Sequence, residues 1–239
     1  MVIIACGKTI FLHFFDFFCF FKHCSIIFDC SKINMGISDR KEREKEELRE
    51  KILAAAKSVF LERGIEKTSI RNIADQIEYS PGIIYHYFRD KNEIFHALHQ
   101  NGFLQLTNKM SVLTSVRDPK ERLKAMGSIY IDFALQNPDM YDLMFILEAP
   151  IDHVANSEHD DWKEGGSTFN FLRETIRECI GKGYFSGHDE EALAFLVWST
   201  VHGMVSLNIR KRCEVILPER KKSIVEDALE EFFNMLDKL

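Results

Sequence analysis

Apolar residues recur at three- and four-residue steps from Leu48 onward, so that Leu48, Ile52, Ala55, Ala56, Val59 and Phe60 share one helical face. Gly64 supplies the stop, since glycine takes the left-handed conformation that ends helices. A second helix of barely two turns follows, with Thr68 or Ser69 as N-cap and Ile70, Ile73, Ala74 and Ile77 facing inward. After Glu78 and Tyr79, Ser80 caps a third helix whose first position is Pro81, where a missing N–H costs nothing. Its inward side chains are Ile84, Tyr87 and Phe88. That leaves Pro81, Gly82, Ile83, Tyr85 and His86 on or near the outer side, a set that packing alone does not explain. Asp90 and Glu93 are spaced as a capping box for a fourth helix, which runs through Ile94, Phe95 and Leu98 toward Leu113 and is long enough to connect two domains.

Further helices are expected from Pro119 to Asn137 and, restarted by Pro138, to Leu147. Pro150 to Gly166 reads as a polar, acidic loop. Helices then cover about Ser167–Ile180, Glu190–Ile209 and Pro218–Leu239, separated by the glycine-rich stretch Gly181–Gly187 and by Lys211–Leu217. No strand pattern or internal repeat competes, so the expected fold class is all-α: an N-terminal three-helix unit containing two short helices and a tight turn, followed by a larger helical domain.

Composition adds limits. With 46% apolar and 28% charged residues in 239, the chain is that of a soluble globular protein with room for two domains. The net charge of −6 excludes unspecific polyanion binding over the whole surface, so any nucleic-acid contact has to come from a local patch. Cys6, Cys19, Cys24 and Cys30 crowd the start while Cys179 and Cys213 stand far apart, which fits a reducing, cytoplasmic compartment rather than a disulfide framework. The apolar stretch Ile10–Phe21 is interrupted by His13 and Asp16 and falls short of the ~20 residues of a membrane helix. It has neither the basic start nor the cleavage site of a signal peptide. Residues 1–34 stay unassigned, and the abrupt change of composition after them sets the expectation that translation starts at Met35. A metal site from His13, Cys19, His23, Cys24 and Cys30 contains no CxxC pair, and Arg40 stands where a myristoylation signal after Gly36 needs Ser or Thr.

Two short helices with the second presenting its N-terminal side chains outward form the arrangement that places a recognition helix in the major groove of DNA. The segment ILAAAKSVFLERGIEKTSIRNIADQIEYSPGIIYHYFRDKNEIF, residues 52–95, resembles the DNA-binding domain of the tetracycline-repressor (TetR) family of bacterial transcription regulators. The resemblance rests on the aliphatic and alanine face with Phe60, Gly64, Thr68, Ile73-Ala74, Ser80, Gly82, the run Tyr85-His86-Tyr87-Phe88, and Lys91. It implies a DNA-binding domain over 46–106 with its helix-turn-helix at 69–88, and a ligand-binding and dimerisation domain over 107–239. Gly82 would let the recognition helix approach DNA closely beside Pro81, Ser80 would bond a phosphate or base, and Ile83 would meet a thymine methyl. Tyr85, His86 and Lys91 are expected on phosphates, as is Thr68 at the start of the second helix, with Arg71 adding charge. Glu78 departs from the family by standing where glycine is usual, which strains the turn, and Tyr79 replaces a small aliphatic residue and is expected to reach a base or the backbone.

The second domain carries weaker signals. Trp198, His202 and Gly203 in FLVWSTVHGMVSL resemble the carboxy-terminal domains named after Trp, His and Gly. Tyr130, Phe133, Tyr141, Met144, Phe145, Phe169 and Trp198 are candidates for a pocket holding an unidentified small-molecule ligand, with His202 as its polar handle, though core packing explains the same residues. The last helix has too broad an apolar face for a free terminus, so Val201, Val205, Leu229, Phe232, Phe233 and Leu236 are expected in a homodimer interface of paired helices. Such a dimer would set two recognition helices roughly 34–36 Å apart on a quasi-palindromic DNA operator. The expected function is a repressor released from its operator by the ligand, with no enzymatic activity, cofactor, metal or membrane. An enzyme built on His153, Glu158, His159 and Asp160 lacks both an HExxH spacing and a nucleophile motif, and a membrane-associated protein rests wholly on residues 1–34.

Overall fold

The computed structural model describes residues 36–147, 163–220 and 224–238. The expectations for residues 1–34 and for the loop with His153, Glu158, His159 and Asp160 lie outside the described residues. The chain divides into two compact units, residues 1–49 and 50–239.

Helix α1, Ile37–Arg63, begins in the first unit. There its mixed charges form exposed pairs one turn apart, Arg40 with Glu44 at 2.7 Å and Arg43 with Glu47 at 3.7 Å, which contribute little to stability in water.

All regular structure among the described residues of the second unit is helical. α1 is followed by α2 (Ile70–Gln76), α3 (Pro81–Ile84), α4 (Lys91–Ser111), α5 (Pro119–Gln136), α6 (Pro138–Phe145), α7 (Lys163–Gly181), α8 (Glu190–Ile209), α9 (Arg212–Ile216) and α10 (Ile224–Leu236), with 3-10 turns at Val112–Ser115 and Pro218–Arg220. The caps explain most starts. Ser69 and Asn72 satisfy each other's backbone N–H at the head of α2, Asp90 accepts from Asn92 and Glu93 N–H, Asp118 from Lys120 and Glu121 N–H, and Asp189 from Ala192 N–H. Glu93 closes back on Arg89 N–H rather than on Asp90.

Three boundaries differ from the sequence reading. α7 starts at Lys163, so Gly165 and Gly166 lie inside a helix and not at the end of a loop. Lys211–Leu217 contains the short α9, entered through Lys211 at φ +57, and α10 begins only at Ile224. The third helix is a single α turn, continued through Tyr87 and Phe88 by N–H bonds to Ile84 O of 2.9 and 3.0 Å.

The cores follow the expected faces. Ile52, Ala56, Val59, Phe60, Ile73, Ala74, Ile84, Phe88, Ile94, Phe95 and Leu98 are buried, with Phe60 and Phe95 edge-on at 5.3 Å. In the larger helical part, Leu123, Ile176, Cys179, Phe185, Leu193, Ala194, Val197 and Leu236 form one cluster across α5, α7, α8 and α10. α8 is, among the described residues, the one helix long and apolar enough to cross a membrane. One side of it, Leu193, Ala194, Val197, Val201 and Val205, is buried within the helical bundle, while Phe195, Leu196 and Leu207 are exposed.

Candidate functional site

α2 ends in two bonds that define a Schellman cap: Tyr79 N–H donates to Ala74 O at 3.0 Å and Glu78 N–H to Asp75 O at 3.2 Å. The residue held left-handed between them is Glu78, at φ +60, a conformation that favours glycine. This turn aims α3 outward. Arg71, Tyr79, Ser80, Gly82, Tyr85 and His86 are exposed, while Pro81, Ile83 and Lys91 are half-buried. The Ser80 side chain makes no capping bond, and a methyl built at Gly82 would meet only Ser80 Oγ at 3.8 Å. Nothing among the described residues therefore requires glycine at 82.

Thr68 needs correction, because its side chain does not reach the surface. It is buried, with Oγ1 donating to Gly64 O at 2.8 Å, and Ser69 takes the cap instead. The Lys91 ammonium is engaged with the loop between α1 and α2, donating to Ile65 O at 3.0 Å and Glu66 O at 3.5 Å. Lys51 was not legible as part of this face. Its ammonium lies 5.2 Å from the centre of the Tyr79 ring, a cation–π pairing that brings a positive charge beside the α2–α3 turn.

A cavity of about 650 Å³ lies among α4, α5, α6, α7 and α8. Four of the eight expected pocket residues line it: Tyr130, Phe145, Phe169 and Trp198. Phe133, Tyr141 and Met144 are buried but not among its lining residues, so they serve as packing around it. Phe103, Leu106 and Met110 of α4 line the cavity and were missed, because helical spacing shows that a residue faces inward but not whether it meets a side chain or a void. Phe145 is the hub of the aromatic wall, with ring centres 5.3 Å from Phe103, 5.8 Å from Tyr130 and 6.3 Å from Trp198.

His202 sits behind this wall rather than on it. Its Nδ1 is 2.9 Å from the Tyr130 hydroxyl and 3.2 Å from that of Tyr141. Burial lowers the His202 pKa and pushes Tyr141 up to about 12, with Tyr130 raised further, so two neutral phenols face a neutral imidazole. Among the described residues no three His, Cys, Asp or Glu side chains converge as a metal site.

Comparison with known proteins finds a family match over each of two stretches of the chain. The family profile for bacterial regulatory proteins of the tetR family matches residues 52–98, and that of the tetracyclin repressor-like C-terminal domain matches residues 123–232. The HTH-type transcriptional regulator HbdR of Aromatoleum sp. (strain CIB) is 41% identical over 166 residues, covering 66% of this chain and 68% of HbdR. The chain belongs to the TetR family. The HTH-type transcriptional activator FasR of Mycolicibacterium smegmatis is 29% identical over 102 residues, 42% of this TetR chain and 47% of FasR, so the alignment spans less than half of that protein. In fold, the chain resembles the FadR regulator of Bacillus subtilis solved with stearoyl-CoA, at a TM-score of 0.58 and 19% identity, covering 75% of this chain and 96% of FadR.

The TetR chain also leaves an apolar strip uncovered, and it is not the one expected. Val201, Val205, Leu229 and Leu236 are already buried within one chain, so they are not available to a partner, while half-buried Phe233 packs over Gly127. Of the exposed large apolar residues on α8, Phe195 stands at the cavity, while Leu196 and Leu207 share another face with half-buried Thr200 and Gly203 at steps of three and four. On α10 the matching residues are Met235, exposed, with half-buried Ala228 and Phe232.

Proposed function

We propose that this protein is a cytoplasmic transcriptional repressor that binds a quasi-palindromic operator as a homodimer and is released by a small apolar ligand. The observation that carries this reading is the double use of α4. Its first half, through Ile94, Phe95 and Leu98, is buried, with Phe95 edge-on to Phe60 of α1 at 5.3 Å, and its second half, through Phe103, Leu106 and Met110, lines the cavity. Occupying the cavity therefore bears on the helix that supports the DNA-facing turn.

On this reading Arg71, Tyr79, Ser80, Pro81, Gly82, Ile83, Tyr85 and His86 face the DNA, and Gly82 is needed by what approaches from outside. Lys51 joins them through Tyr79. Trp198 on the cavity wall, His202 behind it and Gly203 on the open face of α8 give each residue of the Trp-His-Gly signature a separate task. The strip of Leu196, Thr200, Gly203 and Leu207 with Ala228, Phe232 and Met235 forms the dimer interface, where Gly203 lets two α8 helices approach closely. HbdR and FasR are named as transcription regulators, which supports the DNA-binding part.

The test is to select genomic fragments bound by the purified protein and footprint the best one across a salt series. A protected quasi-palindrome whose affinity falls as salt rises, and falls by about tenfold or more in Tyr85→Ala, supports the reading. A folded dimer that enriches no sequence over random DNA at any salt overturns it. Transcription from the selected promoter, rising when the gene is deleted, separates a repressor from an activator.

A further inference from the structure

The cavity is apolar inside, but a charged side chain one turn from its exposed lining residues, Arg173, has no hydrogen-bond partner at Nε and no ion pair among the described residues. Its exposed lining residues, Asn170 on α7 and Glu191, Ala192 and Phe195 on α8, mark where it opens. Arg173 lies one turn beyond Phe169 and Asn170 on the same face of α7, and helical side chains lean toward the N-terminus, which carries its stem back over that turn. Its charge is felt by the Glu190 carboxylate at the first turn of α8, the turn that also carries the lining residues Glu191 and Ala192.

Arg173 Nε is buried and has no hydrogen-bond partner, and the guanidinium forms no ion pair among the described residues. The nearby acids do not serve it. Arg177 takes Glu190 at 2.6 and 2.7 Å and Glu174 at 2.7 Å, and Glu191 is exposed to water in the first turn of α8, where the helix dipole already favours its charge. A half-buried guanidinium with a desolvated, unpaired N–H is the costly arrangement that a bound anion relieves.

We infer that the ligand is an amphipathic anion, with its apolar body among Phe103, Met126, Phe145 and Trp198 and a carboxylate or phosphate paired with Arg173 at the mouth. This rests on the cavity being the ligand site. Arg173 selects for charge and the aromatic wall for the body. A cationic amphiphile is disfavoured, since its head would sit against Arg173 and gain only the solvated Glu191.

The experiment is calorimetric titration of the full chain with decanoate, decyl phosphate, decanol and decylammonium, each below its micellar limit, against the wild type, Arg173→Gln and Arg173→Lys. The anions bind the wild type at least about tenfold tighter than decanol, Arg173→Gln brings them down to the decanol level, and Arg173→Lys restores part of the difference. Decanoate binding alone identifies a free acid as the source, decyl phosphate alone a phosphorylated carrier. The inference is overturned if decanol or decylammonium binds as tightly as the anions, or if Arg173→Gln leaves decanoate affinity unchanged while decanol still binds; the cavity reading survives both results. If none of the four binds a protein that is folded by circular dichroism, the cavity is not the ligand site and the inference falls with it. Because Arg173 has no hydrogen-bond partner at Nε to lose and its desolvated charge is a cost to the folded chain, Arg173→Gln unfolds at or above the wild-type midpoint, which separates a loss of binding from a loss of fold.

Discussion

Replacing Glu78 with glycine should make the protein both more stable and a tighter DNA binder, for two separable reasons. The Schellman cap of α2 forces residue 78 to φ +60, where a Cβ crowds the neighbouring carbonyl at a cost of roughly 1–2 kcal/mol. Glycine removes that crowding but loses about 0.5–1 kcal/mol to the greater freedom of its unfolded chain, so Glu78→Gly gains about 0.5–1 kcal/mol overall. Glu78→Ala keeps the Cβ and gains nothing. The charge acts differently. Between Ser69 and Phe88 the chain has Arg71 as its one arginine or lysine, against Asp75 and Glu78. A carboxylate about 10 Å from a phosphate in water costs roughly 0.4 kcal/mol per phosphate before screening, so both Gly and Ala variants bind the operator about two- to fivefold tighter at low salt, an advantage that fades as salt rises. Urea unfolding at fixed protein concentration reads the first effect as a higher midpoint at unchanged slope, and anisotropy titration with the footprinted operator reads the second. Equal stability of the Gly and Ala variants would refute the strain argument, and equal low-salt affinity of wild type and both variants would refute the placement of Glu78 near phosphates.

His99 is 2% exposed, its Nε2 has no partner, and burial lowers its pKa to about 4. The unfolded chain takes up the proton near pH 6.5 and the folded one does not, so the stability is fully present above pH 6.5 and falls as the pH drops toward 4, by up to roughly 3 kcal/mol. In urea melts at pH 7 and pH 5, His99→Leu should lose less stability between the two than wild type; an identical loss would show that His99 does not titrate as a buried neutral group. Leu196→Glu with Leu207→Glu should turn the proposed dimer into a folded monomer, because each leucine buried in that interface contributes about 1.5–3 kcal/mol and the charges repel across a two-fold axis. Sedimentation equilibrium checks this, and a persisting dimer would move the interface elsewhere.

The parts of the fold that announced themselves were those with a chemical start signal. Ser69, Asp90, Asp118, Pro138 and Asp189 open their helices because a side chain, or a missing N–H, settles the first turn locally. α7 gave no such signal: Gly165 and Gly166 are poor helix formers, yet they sit in its first turn, lining the cavity. The inner faces of α1 to α4 were legible for the same local reason. What covers an inner face is decided by distant residues, and there the reading failed. Val201 looked like interface and lines the cavity, Leu229 looked like interface and lies in the core, and Tyr141 looked like pocket and is fully buried. Thr68 was misplaced because a hydroxyl before a short helix serves equally as an N-cap or as a donor to the preceding turn, and Ser69 beside it was the better cap. Arg173 left no trace in the sequence at all, since an arginine on α7 shows its lack of a partner only once Arg177 has taken both nearby glutamates.

The two halves of α4 also set how strongly a ligand must discriminate. At 1.5 Å per residue, Phe95 and Phe103 stand about 12 Å apart on one continuous helix. Between them Gly102 meets α6 so closely that an added Cβ would lie 2.6 Å from Met144 Sδ and 2.8 Å from Met140 Sδ, which leaves the helix little freedom to bend away from a ligand locally. On the proposed reading, occupancy of the cavity is passed to the DNA-facing turn as a movement of the helix itself. Shifting the population from 99:1 in favour of the DNA-bound arrangement to 1:99 requires a preference of about 5.5 kcal/mol for the released one. At about 25 cal/mol per Å² this corresponds to roughly 220 Å² of apolar surface buried in one arrangement and not in the other, on the order of a whole aromatic side chain. A molecule that fills the existing cavity equally well in both arrangements binds and releases nothing, however high its affinity. Release of the operator, and not affinity alone, is therefore the measurement that separates an inducer from an occupant of this pocket.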